Sequence, residues 1–304
     1  MNFRDFDFVK NRKRFFSLSI TITVLGLLAL LIFNLNYGVD FKSGTTLDVL
    51  LGEHSTTKEK AEQIIQEAGL EASTITVGGD SNNRVNARFE EVLKEDERIQ
   101  IISGFEKEYG QEEISYEENT VDAEIAKELG LKAIYAVAIA SIGIIIYVSI
   151  RFEWRFALTA VVALLHDAFI VISIFSIFQL EVNLPFVAAI LTIIGYSIND
   201  TIVIFDRIRE NLQKFKIKDF DDLSSMVNTS IRQTLTRSIN TALTVVFAAF
   251  CLFIFGSESI KLFSLAILIG LISGAYSSIF IASQLWLILK SKSLKKKKTE
   301  VLNS

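Results

Sequence analysis

Six long runs of apolar residues alternate with polar segments along the chain, and each run has about the length of a membrane helix. A helix needs about 20 apolar residues to cross a hydrocarbon core about 30 Å thick. The sequence therefore predicts a polytopic α-helical membrane protein, whose six transmembrane helices lie at 15–35, 131–150, 156–178, 185–206, 239–256 and 262–289.

Lys and Arg are concentrated before the first predicted helix and after the second, fourth and sixth, whereas loops 179–183 and 257–261 carry almost none. Positively charged loops stay in the cytoplasm. We therefore predict that both termini are cytoplasmic. Residues 1–14 form the N-terminus, 207–238 a cytoplasmic loop and 290–304 a basic tail. The first apolar run is interpreted as an uncleaved anchor, because it is too long for a signal peptide.

Residues 36–130 follow a different pattern and are predicted to fold as a domain outside the cytoplasm. This segment is strongly negative, with 22 acidic and 9 basic residues. Alternating polarity predicts strands at 45–51, 73–77, 84–89 and 114–121, and helical spacing predicts helices at 57–68 and 95–109. The order βαββαβ is that of an α+β ferredoxin-like extracytoplasmic domain. A further helix begins at Ala123 and continues into the second membrane helix.

Composition excludes several classes of function. The net charge is -4 and no basic face is present, so we expect no nucleic-acid partner. The one cysteine lies in an apolar run and belongs to no Cys/His cluster, so we expect no disulfide within the chain and no metal site. Because no phosphate-binding loop and no nucleophile–base arrangement is found, we expect neither an enzyme nor a cofactor.

Polar residues within the predicted membrane helices are the main functional candidates, because ionisable groups are costly at membrane depth. His166 and Asp167 lie near the middle of the third helix, as a candidate proton carrier or, alternatively, as a hydrogen-bonded pair that fixes packing. Asp200, between Asn199 and Thr201, lies about two turns inside the end of the fourth helix. Its depth favours a functional role over packing.

Arg237, near the start of the fifth helix, is followed by Asn240 and Thr241 at helical spacing. An arginine at a cytoplasmic helix end is also what the positive-inside rule predicts. The polar stripe, and the chance of pairing with Asp200 on a neighbouring helix, keep a functional interpretation open.

The sixth predicted helix has a face of small residues. Gly270, Gly274 and Ser278 are spaced four apart. Small residues at this spacing let two membrane helices approach closely. We interpret this face as a helix-packing surface.

Three sequence blocks resemble the SecD/SecF family. Residues 40–45 (DFKSGT) are similar to the Asp-Phe-x-x-Gly-Thr signature of that family, carried here by Asp40, Phe41, Gly44 and Thr45. Residues 195–211 (GYSINDTIVIFDRIREN) resemble the long motif of SecF-type members, and 234–241 (TLTRSINT) resemble the block that follows it. Lys42 and Ser43 stand where many relatives have smaller residues or a second glycine.

The resemblance implies half of an RND-superfamily bundle that pairs with six helices of SecD in the bacterial inner membrane. It implies a role in late steps of protein export, driven by the proton-motive force. The implied partners are SecD, the SecYEG channel, YajC and translocating unfolded polypeptides. Asp200 and Arg237 match the family's intramembrane aspartate and arginine, so we expect them to couple an ion, most simply a proton, to movement.

Two other functions remain open. The chain could be an assembly factor of the translocon that moves no ion. It could also be half of a small-molecule efflux pump of the same superfamily, although its outside domain is small for a drug pump.

Overall fold

The structure is a computed structural model that describes residues 6–79, 81–111, 114–256 and 258–302, and the side chains of all of these except 258–259 and 295–302. Part of the predicted N-terminal segment 1–14 and most of the predicted basic tail 290–304 therefore lie outside the described side chains. The described helices are α1 (Arg12–Phe33), α2 (Val39–Lys42), α3 (Lys58–Glu67), α4 (Glu95–Tyr109), α5 (Ala123–Arg151), α6 (Trp154–Ile177), α7 (Leu184–Lys214), α8 (Phe220–Phe255), α9 (Glu258–Ser277) and α10 (Ser283–Leu302).

The six predicted membrane helices are confirmed. Six helical spans of the described chain are long and apolar enough to cross a membrane, and they comprise α1, α5, α6, α7, α8 and the span Ile260–Leu294. The last span joins α9 to α10 through a π-helical turn at Ser278–Ala282. Turns of this kind are rare and often lie at functional sites.

The segment 207–238, predicted as a cytoplasmic loop, is nearly all helical. Helix α7 continues to Lys214 and α8 begins at Phe220, where the Asp219 side chain accepts hydrogen bonds from two backbone N–H groups. The start of α8 buries four apolar side chains at helical spacing: Leu223, Met226, Val227 and Ile231. The start of α8 is therefore an amphipathic helix, with its charged residues outside the buried face.

The segment before α1 packs against this same part of α8. Phe8 and Val9 are almost fully buried, and their backbone N–H groups donate to Asn228 Oδ1 at 3.0 and 3.3 Å. The α7–α8 turn and the N-terminal segment thus form a folded layer at one end of the bundle, which we call the far end.

The α+β domain lies at the other end, which we call the domain end. Its strands β2 (Gly44–Leu50), β3 (Thr74–Gly78), β4 (Arg84–Phe89) and β5 (Ser115–Val121) form an antiparallel sheet in the order β3-β4-β2-β5. Helices α3 and α4 cover one face, and the core between them contains Leu47, Val49, Ile65, Ile101 and Phe105, among others. All four predicted strands and both predicted helices of this segment are present.

A second, very small sheet joins the domain end of the bundle to the segment that enters the α+β domain. Strand β1 (Asn36–Tyr37), just after α1, pairs in parallel with β6 (Glu181–Val182), between α6 and α7. The sequence did not predict these strands, because two residues are too few to show a period.

One ion pair of the α+β domain gives a test of its electrostatics. Arg98 Nη1 lies 2.7 Å from Glu118 Oε2. The hydrogen bond from Arg98 holds the pKa of Glu118 below its ordinary 4.5, against the opposing effect of burial. A carboxyl whose pKa is lowered by folding stabilises the fold above its unfolded pKa, and that stability is lost as the pH falls through the folded pKa.

We expect Glu118→Gln to destabilise the domain by about 1 kcal/mol at pH 7, and the difference from the native protein to shrink below pH 4.5. Thermal unfolding of the full chain in detergent at both pH values measures this. Glu117→Gln is the matched control, because Glu117 is exposed on the same strand. Equal melting temperatures for the two variants at pH 7 would contradict the expectation.

Candidate functional site

Asp167 is the most enclosed carboxyl group described within the bundle. It lies on α6 with 1% of its surface exposed. Its Oδ2 accepts hydrogen bonds from Ser197 of α7 and Ser277 of α9, and its Oδ1 accepts one from Ser273 of α9, all at 2.6 Å. Three helices therefore meet at this carboxylate, and its hydrogen-bonding capacity is largely used.

His166 extends this cluster towards α1. Its Nδ1 lies 3.3 Å from Asp167 Oδ1, and its ring stacks against Tyr276 at 6.3 Å between centroids. The Tyr276 hydroxyl is 2.9 Å from Ser19 Oγ and donates to Phe15 O, both on α1. Among the described residues, nothing pairs with His166 Nε2. The sequence-predicted pair is thus part of a larger network.

Asp200 has different surroundings. It lies on α7 and is 9% exposed, yet none of the described residues donates a hydrogen bond to its carboxyl group. It lines a cavity of about 10 Å³ between α7, α8 and α9, together with Tyr196, Ser197, Thr241, Ala242, Leu271, Gly274 and Ala275. A cavity needs roughly this volume to hold one water molecule. The cavity beside Asp200 is therefore about large enough for one water molecule.

Arg237 lies on α8, a helix that also lines the cavity beside Asp200. No ion pair within 4 Å joins the two in the described chain, and the Arg237 side chain is exposed. Asn240 and Asn199 are exposed beside it, and Thr241 donates to Arg237 O at 2.8 Å. The predicted polar stripe of the fifth membrane helix is therefore open on the surface of this chain.

The predicted small-residue face of α9 lies against α7. A Cβ atom added to Gly270 would come within 2.4 Å of Ile193, and one added to Gly274 would lie 3.1 Å from Ser197 Cβ. One turn further, Ser278 Oγ is 2.8 Å from Thr201 Oγ1. Small residues thus let α9 approach the helix that carries Asp200.

The signature residues do not join this cluster. They lie at the base of the α+β domain, where Asp40 contacts the start of α7 and Phe41 contacts the aromatic ring of Tyr37. Gly44 has φ = 124°, and a Cβ there would lie 2.2 Å from Phe89 O, so only glycine fits. Thr45 Oγ1 accepts from Leu93 N at 3.0 Å.

Ser43, within the signature segment, has φ = 71°. This left-handed conformation favours glycine, so the native serine holds it at some cost.

The sequence-based site did not connect Asp167 with the serines that surround it, although Ser273 and Ser277 could be expected to hydrogen-bond across helices. Ser273 and Ser277 are spaced four apart, which places them on one face of α9, but sequence alone does not show which helix that face meets. In the part of the chain that the structure describes, no group of three or more His, Cys, Asp and Glu residues could hold a metal ion.

The chain is similar to proteins of known family along almost its whole length. A family model described as protein export membrane protein SecD/SecF, C-terminal, matches residues 102–292. The protein translocase subunit SecF of Alicyclobacillus acidocaldarius is 44% identical over 96% of this chain and 95% of its own length. The protein translocase subunit SecDF of Bacillus subtilis is 49% identical over 97% of this chain, which spans only 39% of that protein.

A solved structure gives the same result. SecDF from Thermus thermophilus, described as a translocon-associated membrane protein, matches with a TM-score of 0.82 at 31% identity. The match covers 94% of this chain and 38% of that one. Sequence and fold agree, and the chain belongs to the SecD/SecF family of protein export membrane proteins.

Proposed function

We propose that this chain is an accessory subunit of the Sec protein translocase that works with SecD and uses the proton-motive force to promote late steps of export. The observation that carries the proposal is Asp200, a buried carboxyl at membrane depth with a water-sized cavity beside it and no hydrogen-bond donor among the described residues. The chain acts as an ion-coupled transport subunit and not as an enzyme, with a proton as its coupling ion.

The comparison between the two intramembrane aspartates supports Asp200 as the coupling residue. Asp167 accepts hydrogen bonds from three serine hydroxyl groups, so its carboxylate oxygens are engaged within the protein. Asp200 accepts no hydrogen bond from the described residues and lines a cavity about the size of one water molecule, so it is the better placed of the two to exchange a proton. Ser197 lies between the two, since it donates to Asp167 and also lines the cavity of Asp200.

Arg237 is proposed to tune the charge state of Asp200. A positive charge nearby favours the ionised carboxylate, whereas removal from water favours the protonated form. The two side chains lie on helices that pack together and form no ion pair within 4 Å in the described chain, so a modest movement of α8 relative to α7 would change their separation. Protonation and helix arrangement would then depend on each other.

The exposed polar face of α7 and α8 supports a membrane partner. Asn199, Arg237 and Asn240 are exposed on helices that cross the membrane. Contact of such groups with lipid tails is costly. A second set of six helices from SecD would cover this face and complete an RND-type bundle, and the SecYEG channel, YajC and the exported chain would be further partners.

We further infer the orientation and the class of the α+β domain. The distribution of Lys and Arg favours a bacterial inner-membrane protein with both termini in the cytoplasm, so that the far end is cytoplasmic and the domain end is outside. The βαββαβ order and the sheet order β3-β4-β2-β5 support a ferredoxin-like domain.

The available driving force is adequate for such a switch. One charge moved through 100 mV gains about 2.3 kcal/mol, which changes a two-state population about 50-fold.

The proposal is tested by the export of a reporter protein in cells depleted of the native subunit and supplied with this chain and its SecD partner. We expect the chain to restore release of the exported reporter, and a protonophore to remove that gain while ATP is maintained. Restoration that is unaffected by the protonophore would instead support an assembly factor. Drug sensitivity without an export defect in the depleted cells would support an efflux pump.

A further inference from the structure

The signature residue Asp40 connects two parts of the molecule. Its Oδ2 accepts a hydrogen bond of 2.7 Å from the backbone N–H of Leu184, the first residue of α7. Its Oδ1 lies 3.4 Å from Asn119 Nδ2, on strand β5 of the α+β domain. A negative charge at a helix N-terminus is favourable, because unpaired N–H groups and the helix dipole both attract it. One carboxylate therefore holds the first turn of α7 beside the domain.

A second connection lies next to the first. Arg88, on strand β4, is 7% exposed and donates through Nη2 to Tyr37 O in β1. Its Nη1 is 3.9 Å from Glu181 Oε2 in β6. The small parallel sheet that joins α1 to the α6–α7 loop is therefore attached to the α+β domain by a nearly buried arginine.

The charges at this base act on one another. Burial raises the pKa of Glu181, Arg88 opposes that shift and Asp40 adds to it. The packing is also close, since a Cβ added to Gly38 would lie 2.4 Å from Glu181 Oε1. A displacement of any one of these groups would thus disturb the others.

The base is connected to Asp200 by a single helix. Leu184 and Asp200 belong to α7, which the structure describes as uninterrupted from Leu184 to Lys214. Sixteen residues separate them in sequence, which corresponds to about 24 Å along the axis of an α-helix. A helix of this length transmits a shift or a tilt from one end to the other.

We propose that Asp40 is a positioning residue that fastens the start of α7 to the α+β domain, so that a movement of α7 linked to proton exchange at Asp200 is passed to the domain. Arg88 and Glu181 form the second fastening at the same base. The proposal rests on the proposed function. It gives Asp40, a residue of the family signature, a mechanical role outside the intramembrane site.

The experiment measures the distance between the domain and the bundle in the complex with SecD, reconstituted in vesicles. Spin labels are attached at Glu62→Cys on α3 and Phe178→Cys after α6, both exposed positions, in a Cys251→Ser background. Asp200→Asn mimics the protonated state. We expect this substitution to shift the distance distribution when Asp40 is present, and the shift to disappear in Asp40→Ala.

Two further variants separate positioning from general damage. Asp40→Asn keeps an acceptor oxygen for Leu184 N–H, so we expect part of the shift to return. Glu117→Ala removes an exposed acidic residue from β5 and should leave the full shift. Asp200-dependent proton uptake by the vesicles should persist in Asp40→Ala, because the residues of the proton site are unchanged.

The outcomes distinguish this proposal from the proposed function. If Asp200→Asn shifts nothing and vesicles show no Asp200-dependent proton uptake, the proposed function fails and this inference fails with it. If proton uptake and the shift are normal but Asp40→Ala still responds fully to Asp200→Asn, the fastening role is wrong and the proposed function stands. If Asp40→Ala does not assemble, a response of Asp40→Asn equal to that of the native protein overturns the inference.

Discussion

Asp200→Asn is expected to reduce export of a reporter protein to the level of cells that lack the chain, while the abundance of the protein in the membrane stays normal. The asparagine side chain has nearly the same volume as aspartate but cannot exchange a proton. Because none of the described residues donates a hydrogen bond to Asp200, the substitution breaks no described contact in the bundle. Pulse labelling of the reporter measures export, and immunoblotting of membranes measures abundance.

Asp206→Asn provides the matched control for this experiment. Asp206 lies on the same helix, but its Oδ1 is 2.6 Å from Arg209 and 3.7 Å from Arg151 at the far end of the bundle. Exposed pairs of this kind contribute at most about 1 kcal/mol. Near-native export is therefore expected for Asp206→Asn. Near-native export in Asp200→Asn would show that Asp200 serves packing, and would favour the assembly-factor function.

Sequence predicted those parts of the fold that depend on length and period. Six apolar runs gave six helices, because the thickness of a bilayer sets one length for all of them. The elements of the α+β domain could be predicted as well, because its strands alternate in polarity and its helices bury every third or fourth residue. The helical structure within 207–238 was not predicted, although Leu223, Met226 and Val227 are spaced as on one face of a helix and are buried.

The candidate site was likewise predictable from sequence only in part. Asp200 and Arg237 were accessible from sequence, because a charge inside an apolar run is conspicuous without any tertiary information. The contact between Asp167 and the serines that enclose it could not be predicted from sequence, because serine is common in membrane helices. Only the packing of α9 on α6 and α7 gives Ser273 and Ser277 a common partner. The position of Asp40 could not be predicted either, because it depends on β1, a strand too short to show a sequence pattern.

Asp167→Ala is expected to differ from Asp200→Asn, because its primary defect is a loss of stability and of abundance in the membrane. The substitution removes the shared acceptor of Ser197, Ser273 and Ser277, which belong to two different helices packed on α6. Hydrogen bonds between membrane helices average about 0.6 kcal/mol, with a maximum of about 1.7, so three lost bonds correspond to roughly 2–5 kcal/mol. Thermal unfolding in detergent and immunoblotting of membranes measure the loss.

A graded series tests whether hydrogen bonding is the cause. Asp167→Asn keeps one acceptor oxygen, and Ser277→Ala removes one of the three donors, so both variants should lie between the native protein and Asp167→Ala. Export should fall only as far as abundance falls, because this carboxylate serves to hold the helices together. If Asp167→Asn keeps native stability and abundance but loses export, Asp167 belongs to the proton path. Ser197, which touches both sites, would then be its connection to Asp200.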